Sequence, residues 1–531
     1  MLLATVARVR RTLFVALPGL LALAGGCSSS SPPPPSSGPP PKPPTVAFLG
    51  PTRLTGPTTL TARARAYSSR VVAVTFTLDG LPLGSDTTRP YELDIEPELL
   101  VSGRHRIRAV AVDSLGRRAA TAPRDVMVAP SGSRVVDVAP GATFAGAMDA
   151  LRRGDVTVRL APGRYEVREL ELGSGTRLVG SGEETVIAPA GDAGYWALLV
   201  ARGNRIRISD LTIDGGGGPA TSSSREGGIA VAVFDGSHDV RLQRLHIRAV
   251  RTDGVNTWGA HSSVSVQDSV IDGGGTGRAG VFTLGSDDSR DTSVIRTRIS
   301  GFRSFGILLG QKEFGRPRAA LHGVALDNVI SDIRDPARDA CVTDARTATG
   351  CGTNEGGIWT GGVEAAIIGN SIRRTRWDGI ETVGSSTRTT IVANEIRETR
   401  TGIYLEHATN DSVISRNVIV DAETGINVEW LHDGVGSSGN TFTLNRVVGA
   451  DSGLFVDVGS DANRILRNLF VGGARPAITL QGSSENIVRD NLGCGGPLGP
   501  LVGFESARWD SGALARSTRN RLSGNRSVRR C

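Results

Sequence analysis

Four carboxylates recur at intervals that no single helix or hairpin would give. Glu381, Glu406, Glu429 and Asp457 lie 25, 23 and 28 residues apart, and each belongs to a short segment built on Gly-apolar-x-apolar-x or a close variant of it. In a strand, alternate side chains leave opposite faces. Counted from the glycine, positions +1 and +3 are apolar and inward (Ile403 and Leu405, Ile426 and Val428, Leu454 and Val456), so +2 and +4 should face solvent. The +4 series then presents Glu406, Glu429 and Asp457 as an acidic row, with Trp359, Glu381, Tyr404, Asn427 and Phe455 beside it at +2. Carboxylates stacked about 5 Å apart repel unless a cation, raised pKa values or a sugar ligand relieves the cost.

Two chemistries follow. An all-oxygen set suits Ca²⁺, with Glu406, Glu429 and Asp457 as metal ligands. Alternatively, two of the catalytic candidates Glu381, Glu406, Glu429 and Asp457 act as general acid and base on a glycosidic bond. Neighbouring coils would give about the 5–5.5 Å of retaining glycosidases, and alternate coils approach the ~9.5 Å upper end for inverting ones. Trp359, Tyr404, Phe455 and Trp430 offer apolar ring faces to the C–H faces of a pyranoside, as does Trp258, and Asn427 adds a hydrogen-bonding amide. A solvated acidic strip that discourages lateral aggregation is the non-catalytic reading of the same residues. His407 and His432 flank the row and could move protons. Lys312, Arg376 and Arg400 could serve as a lyase base or a uronate clamp. Asp253 and Asp378 each precede a strand glycine, where Asp usually bonds the turn backbone.

Such columns exist only if the chain coils with a fixed period. Asparagine in an apolar-x-x-Asn-x-apolar context occurs at 328, 370, 394, 417, 445, 468, 491 and 525, with successive differences of 42, 24, 23, 28, 23, 23 and 34. A base period near 23 with insertions is the mark of a solenoid with loops on one side. Amides at one bend, stacked at about 4.8 Å, can bond up and down the coils. Gly141–Arg152 reads as an amphipathic helix able to shield the open end of the stack. This asparagine ladder with its Gly-Ile strands resembles the right-handed parallel β-helix of the pectate-lyase-like superfamily, over residues 134–531. The resemblance implies an all-β solenoid whose Gly-Ile strand and neighbouring loops line a substrate cleft. It does not select among lyases, hydrolases, epimerases, adhesins and non-enzymes. The Asn-Thr-Asp, Asp-Asp and Gly-His-Gly set of polygalacturonases is missing, as is the Asp-Pro-His of alginate epimerases, and Asp287-Asp288 stands without such companions.

Upstream, residues 1–26 have a charged start (Arg8, Arg10, Arg11), an apolar run from Leu13 to Ala24 and small residues before Cys27. That pattern resembles a bacterial lipoprotein signal, with Cys27 as the lipidation site and a membrane anchor as the consequence. Residues 27–44, rich in Pro and Ser, form a tether. Residues 45–130 carry short alternating strands (Val71–Leu78, Tyr91–Ile95, Arg104–Val112) and resemble a bacterial Ig-like domain, which implies a spacer or adhesion module. Of the remaining cysteines, Cys341 with Cys351 and Cys494 with Cys531 are expected to form disulfides in an exported chain. The formal charge of +7 comes from arginines scattered among Asp and Glu, with only Lys42 and Lys312 as lysines, so nucleic-acid binding is not expected. The sequence thus predicts a monomeric, lipid-anchored protein outside the cytoplasm that binds, and cleaves or modifies, an extracellular polysaccharide. The alternative is a non-catalytic surface or adhesion protein with the helix as a rigid scaffold.

Overall fold

The computed structural model describes residues 42–97, 100, 102–129, 135–191, 194–218, 227–259, 261–285, 290–311, 322–334, 356–362, 364–384, 386–430, 436–473, 476–496, 499–508 and 514–531. Cys27, Cys341, Cys351, Lys312, His432 and Asp287-Asp288 lie outside the described residues. Among the described residues no helix is long and apolar enough to cross a membrane.

Residues 45–128 fold as two facing antiparallel sheets. One joins Thr45–Phe48, Thr58–Arg65 and Tyr91–Ile95; the other is built on Val71–Leu78, Leu81–Asp86, Gly103–Asp113 and Arg124–Val128. Alternation along each strand sends Leu60, Val74, Phe76, Leu93, Ile107 and Val126 into one shared core. From Val135 to Val528 the strands instead pair in parallel, each with the strand one coil onward, as a parallel β-helix, apart from one antiparallel pairing of Val502–Arg508 with Leu514–Arg516 near the end. Inward residues form columns through the coils: Ile358, Ile380, Ile403, Ile426, Leu454 and Ile478 are register neighbours, all buried. Helix Ala142–Arg153 closes the first coil with Phe144, Ala147 and Leu151, one stripe at helical spacing, and Phe144 meets Tyr165 edge-on at 4.8 Å.

The asparagine ladder is continuous. The backbone N–H and the amide Nδ2 of Asn370 both donate to Oδ1 of Asn394 at 2.9 Å, and the same step repeats through Asn417, Asn445, Asn468, Asn491 and Asn525. The residue before each Asn turns left-handed, as at Ala393 (φ 58°), Arg416 (φ 56°) and Arg467 (φ 55°). The amide bonds hold a bend that a non-glycine residue otherwise resists. A second ladder, not picked out from the sequence, runs from Ser412 through Asn440, Asn463 and Asn486 to Asn520. At the far end Cys494 and Cys531 form the expected disulfide, their Cα atoms 5.2 Å apart.

The spacer expectation for the Ig-like domain needs correcting. Val72, Ala73 and Val112 share a buried cluster with Ile295, Val324, Leu326, Ala366, Ile368 and Val392 of the β-helix. Around it, Gln267 pairs with both backbone groups of Ser85 (2.8 and 2.7 Å), and Arg118 grips Asp327 through two bonds of 2.7 Å. Residues 42–531 therefore make one compact unit.

Candidate active site

Strands Gly356–Gly361, Asp378–Val383, Glu395–Leu405, Val418–Val428 and Ser452–Val456 lie side by side in strict register. Trp359, Glu381, Tyr404, Asn427 and Phe455 thus form one outward column. The pairing continues through Glu406 N–H to Thr382 O (2.8 Å), Glu429 N–H to Leu405 O (2.9 Å) and Asp457 N–H to Val428 O (2.8 Å). Glu406, Glu429 and Asp457 consequently stand on three successive coils, beside that column.

Outward is not the same as exposed, and here two expectations are corrected. Trp359 is 4% exposed and Glu381 3%. The Trp359 indole packs with Ala279, Phe305, Leu308 and Val383, and it lies flat over Gly310 and Gly361, where a Cβ would approach its ring within 2.6 and 2.5 Å. It offers no free face to a sugar. Tyr404, Asn427, Phe455, Trp430, Glu406, Glu429 and Asp457 are half-buried, as a cleft requires. Trp258 stands elsewhere on the helix, 6.1 Å from Trp196.

The structure also adds a residue that the sequence reading had given to the turn. Asp378, buried, joins Glu381 and Glu406 in one set of interacting carboxyls. Burial pushes Asp378 up to about 7, helped by the nearby Glu406 charge and opposed by a bond from Thr401 and by Arg400. Burial likewise holds Glu381 well above the carboxylate range, with Asp378 and Glu406 adding to it. Glu406 is pushed up to about 7 by burial and by Glu429, while a hydrogen bond with Glu381 pulls it back. Glu381 and Glu406 thus titrate as a linked pair of carboxyls. Asp457 is raised to about 6, chiefly by burial. The Tyr404 hydroxyl, its pKa raised first by burial, donates to Glu429 Oε2 at 2.7 Å, and Asn427 Nδ2 donates to the same oxygen at 3.1 Å. His407 Nε2 lies 3.5 Å from Glu406 Oε1. Glu381 and Trp359 are register neighbours, and the buried indole N–H draws the Glu381 carboxyl down against the larger effect of burial, although the pair falls short of full hydrogen-bond geometry.

At the rim, the Arg400 guanidinium sits 4.2 Å over the Trp377 ring and 3.5 Å from Glu423, with Arg376 at 6.0 Å from the same ring. Asp253 is not a turn residue: its side chain is buried in an ion pair with Arg278 (2.6 Å) and also accepts from Asn256. Among the described residues no three His, Cys, Asp or Glu side chains converge into a set that could hold a metal ion. Glu406, Glu429 and Asp457 line a column on three successive coils rather than surround a point. The arrangement provides carboxyls that both hold and release protons near neutrality, next to polar and aromatic groups on an accessible face.

Residues 44–109 match the family model for a bacterial Ig domain, and residues 315–491 match that for the periplasmic copper-binding protein (NosD). No curated protein matches this sequence. Among solved structures, the fibronectin(III)-like modules of Clostridium thermocellum CbhA share 30% identity over 16% of this chain, which spans about half (47%) of theirs, at a TM-score of 0.14. The A-module of the Azotobacter vinelandii mannuronan C-5 epimerase AlgE6 is 15% identical over 72% of this chain and 93% of its own (TM-score 0.42). The Yersinia enterocolitica family 28 exopolygalacturonase is 11% identical over 91% and 98% (TM-score 0.39). By family match and by its own geometry, the chain holds a bacterial Ig-like domain joined to an asparagine-ladder parallel β-helix.

Proposed function

We propose that this protein is an exported, lipid-anchored enzyme that binds an extracellular polysaccharide along the Glu406–Asp457 face and hydrolyses it with inversion. One observation carries the reading. Two half-buried carboxyls, Glu406 and Asp457, stand on alternate coils of one face, both raised by burial, with the buried carboxyls Asp378 and Glu381 beside the first. A raised pKa keeps Glu406 protonated near neutrality, as a general acid requires, and leaves Asp457 able to ionise as a base. Two coil steps of about 4.8 Å separate them by about 9.5 Å, within the range of inverting glycosidases.

Glu406 donates its proton to the glycosidic oxygen as the C–O bond breaks. Asp457 takes a proton from the water that attacks the anomeric carbon from the opposite side, so one water is added per bond cleaved. The buried Asp378 and Glu381 carboxyls, which titrate together with Glu406, are its proton reservoir. Glu429, already aimed by Tyr404 and Asn427, is placed to accept from a sugar hydroxyl, and Phe455 and Trp430 supply apolar contact. Oxygen donors suit hydroxyl recognition better than a soft metal, so the copper in the name of the matched family is not carried over. The signal-like segment ending at Cys27, the bacterial Ig domain and the match to a periplasmic family support placement outside the cytoplasm.

The test is hydrolysis of a panel of neutral and acidic polysaccharides, with product configuration read by proton NMR. Inverted hemiacetals formed by wild type and not by Glu406→Gln or Asp457→Asn are expected. An unsaturated, ultraviolet-absorbing product would make it a lyase. Binding of glycans without products from any of them would favour the scaffold reading.

A further inference from the structure

The two ends of the β-helix are finished differently. At the first coil, helix Ala142–Arg153 covers the core with Phe144, Ala147 and Leu151. At the last coil the inward columns run out into solvent. Leu480 and Val488 are fully buried, yet their register partners one coil onward, Phe504 and Leu522, are 51% and 44% exposed. Leu514 and Val528 add exposed apolar surface nearby. The end of a stack needs a cover, because its core face is otherwise wet.

The charge around that end indicates the kind of cover. Residues 514–531 carry Arg516, Arg519, Arg521, Arg526, Arg529 and Arg530 and no Asp or Glu, although arginines elsewhere in the chain are mixed with acids. All six are exposed, and among the described residues only Arg519 of this set has an ion pair, 2.6 Å from Glu485. A second copy stacked end to end would bring two such sets together, so the arginines oppose self-association. A soluble acidic glycan would meet the arginines but leave Phe504, Leu514, Leu522 and Val528 wet. A lipid surface with anionic phosphates answers both features. Guanidinium groups take phosphate oxygens in pairs, and apolar side chains enter the boundary between headgroups and acyl chains.

We propose that the last coil is a docking surface for a membrane bearing anionic phospholipids, on which the β-helix stands end-on. Asp457, two coils back from the strand of Phe504, then lies about 10 Å above the lipid. The proposal does not depend on the hydrolase reading, since a scaffold without glycan activity would seat in the same way.

The experiment is vesicle co-sedimentation of the full chain carrying Cys27→Ser, so that no acyl chain contributes. Vesicles of phosphatidylcholine alone are compared with vesicles that also contain phosphatidylglycerol. Stronger binding to the anionic vesicles, declining as salt is raised, is expected. An arginine near such a surface is worth about fivefold in partitioning, so adding Arg521→Ser, Arg526→Ser and Arg529→Ser should weaken binding about 10²-fold. Phe504→Ser, which removes one exposed ring, should weaken it several-fold. Equal binding to both kinds of vesicle, or binding unchanged in a triple variant with the wild-type circular dichroism spectrum, would overturn the proposal. So would retention by soluble polygalacturonate but not by vesicles, which would make the partner a glycan. A dimer in analytical ultracentrifugation that Leu522→Arg dissolves would overturn it in favour of a second copy.

Discussion

Replacing Glu406 by Gln tests the site without relying on a known substrate. Burial and Glu429 lift Glu406 from an ordinary value of 4.5 up to about 7. The folded protein therefore holds a proton there over a range in which the unfolded chain has lost it. The resulting stability is fully present below about 4.5 and is lost as pH rises through about 7. Some 2.5 pH units at 1.36 kcal/mol each amount to about 3 kcal/mol. Gln keeps hydrogen-bonding groups and nearly the same volume, but it cannot ionise. Removing the Glu406 charge also relaxes Asp378, which it helps to raise, so the effect adds in the same direction. For a chain of this length unfolding entropy near the midpoint is about 1 kcal/mol/K, so the shift is about 3 °C. Thermal midpoints followed by circular dichroism at pH 5 and pH 9 should fall by about 3 °C more in wild type than in Glu406→Gln. The variant should also lose at least about 10²-fold in hydrolysis. Equal pH sensitivity in the two proteins would mean that Glu406 carries no proton near neutrality, and the assignment of the acid would be refuted.

Hydrolysis should trace a bell, rising as Asp457 ionises through about 6 and falling as Glu406 loses its proton through about 7; an optimum above pH 8 would contradict both assignments. Asn417→Ala leaves the N–H and Nδ2 of Asn394 without an acceptor and frees the Ile391 carbonyl, a loss of about 2–4 kcal/mol that should lower the midpoint by several degrees. The same change at Asn525, at the end of the ladder, should cost less than half of that. Val72→Asp places a carboxylate against Ile295, Val324 and Ile368, and amide hydrogen exchange in Val71–Leu78 and His322–Leu326 should then rise together; unchanged exchange in both would refute the packing of the two domains.

What the sequence revealed, and what it hid, follows from the kind of constraint each residue obeys. The ladder at Asn328–Asn525 was legible because one bend geometry demands one side chain at a constant interval. Its twin at Asn440, Asn463, Asn486 and Asn520 obeys the same rule, but it starts from Ser412 and offers fewer repeats. Period-two alternation placed Glu381 and Trp359 on the correct face, yet alternation says only which way a side chain points, not what lies above it. Asp378 was hidden by its type, since Asp before Gly at a strand entry reads as a turn. The docking of the Ig-like domain did leave a trace: Ala365-Ala366-Ile367-Ile368 is apolar at consecutive positions. A strand buried on both faces reads that way.

A parallel coil imposes its own electrostatics on any acid it carries. Register repeats every side chain about 4.8 Å above its neighbour, so a second carboxylate in a column meets the first with no freedom to turn away. A surface strip escapes through water and salt, and nothing then prevents it from ionising. Glu381, Glu406 and Asp378 stand in different columns of adjoining coils, and burial, with Trp359 and Val383 packed at that end of the face, denies them that escape. Retained protons are the relief left to them, and a fold gains nothing in stability from burying three carboxyls where one apolar side chain would serve. The arrangement makes sense if the protons are used. The apolar cluster beside these carboxyls is therefore the element that keeps them protonated, and trimming it should weaken proton retention.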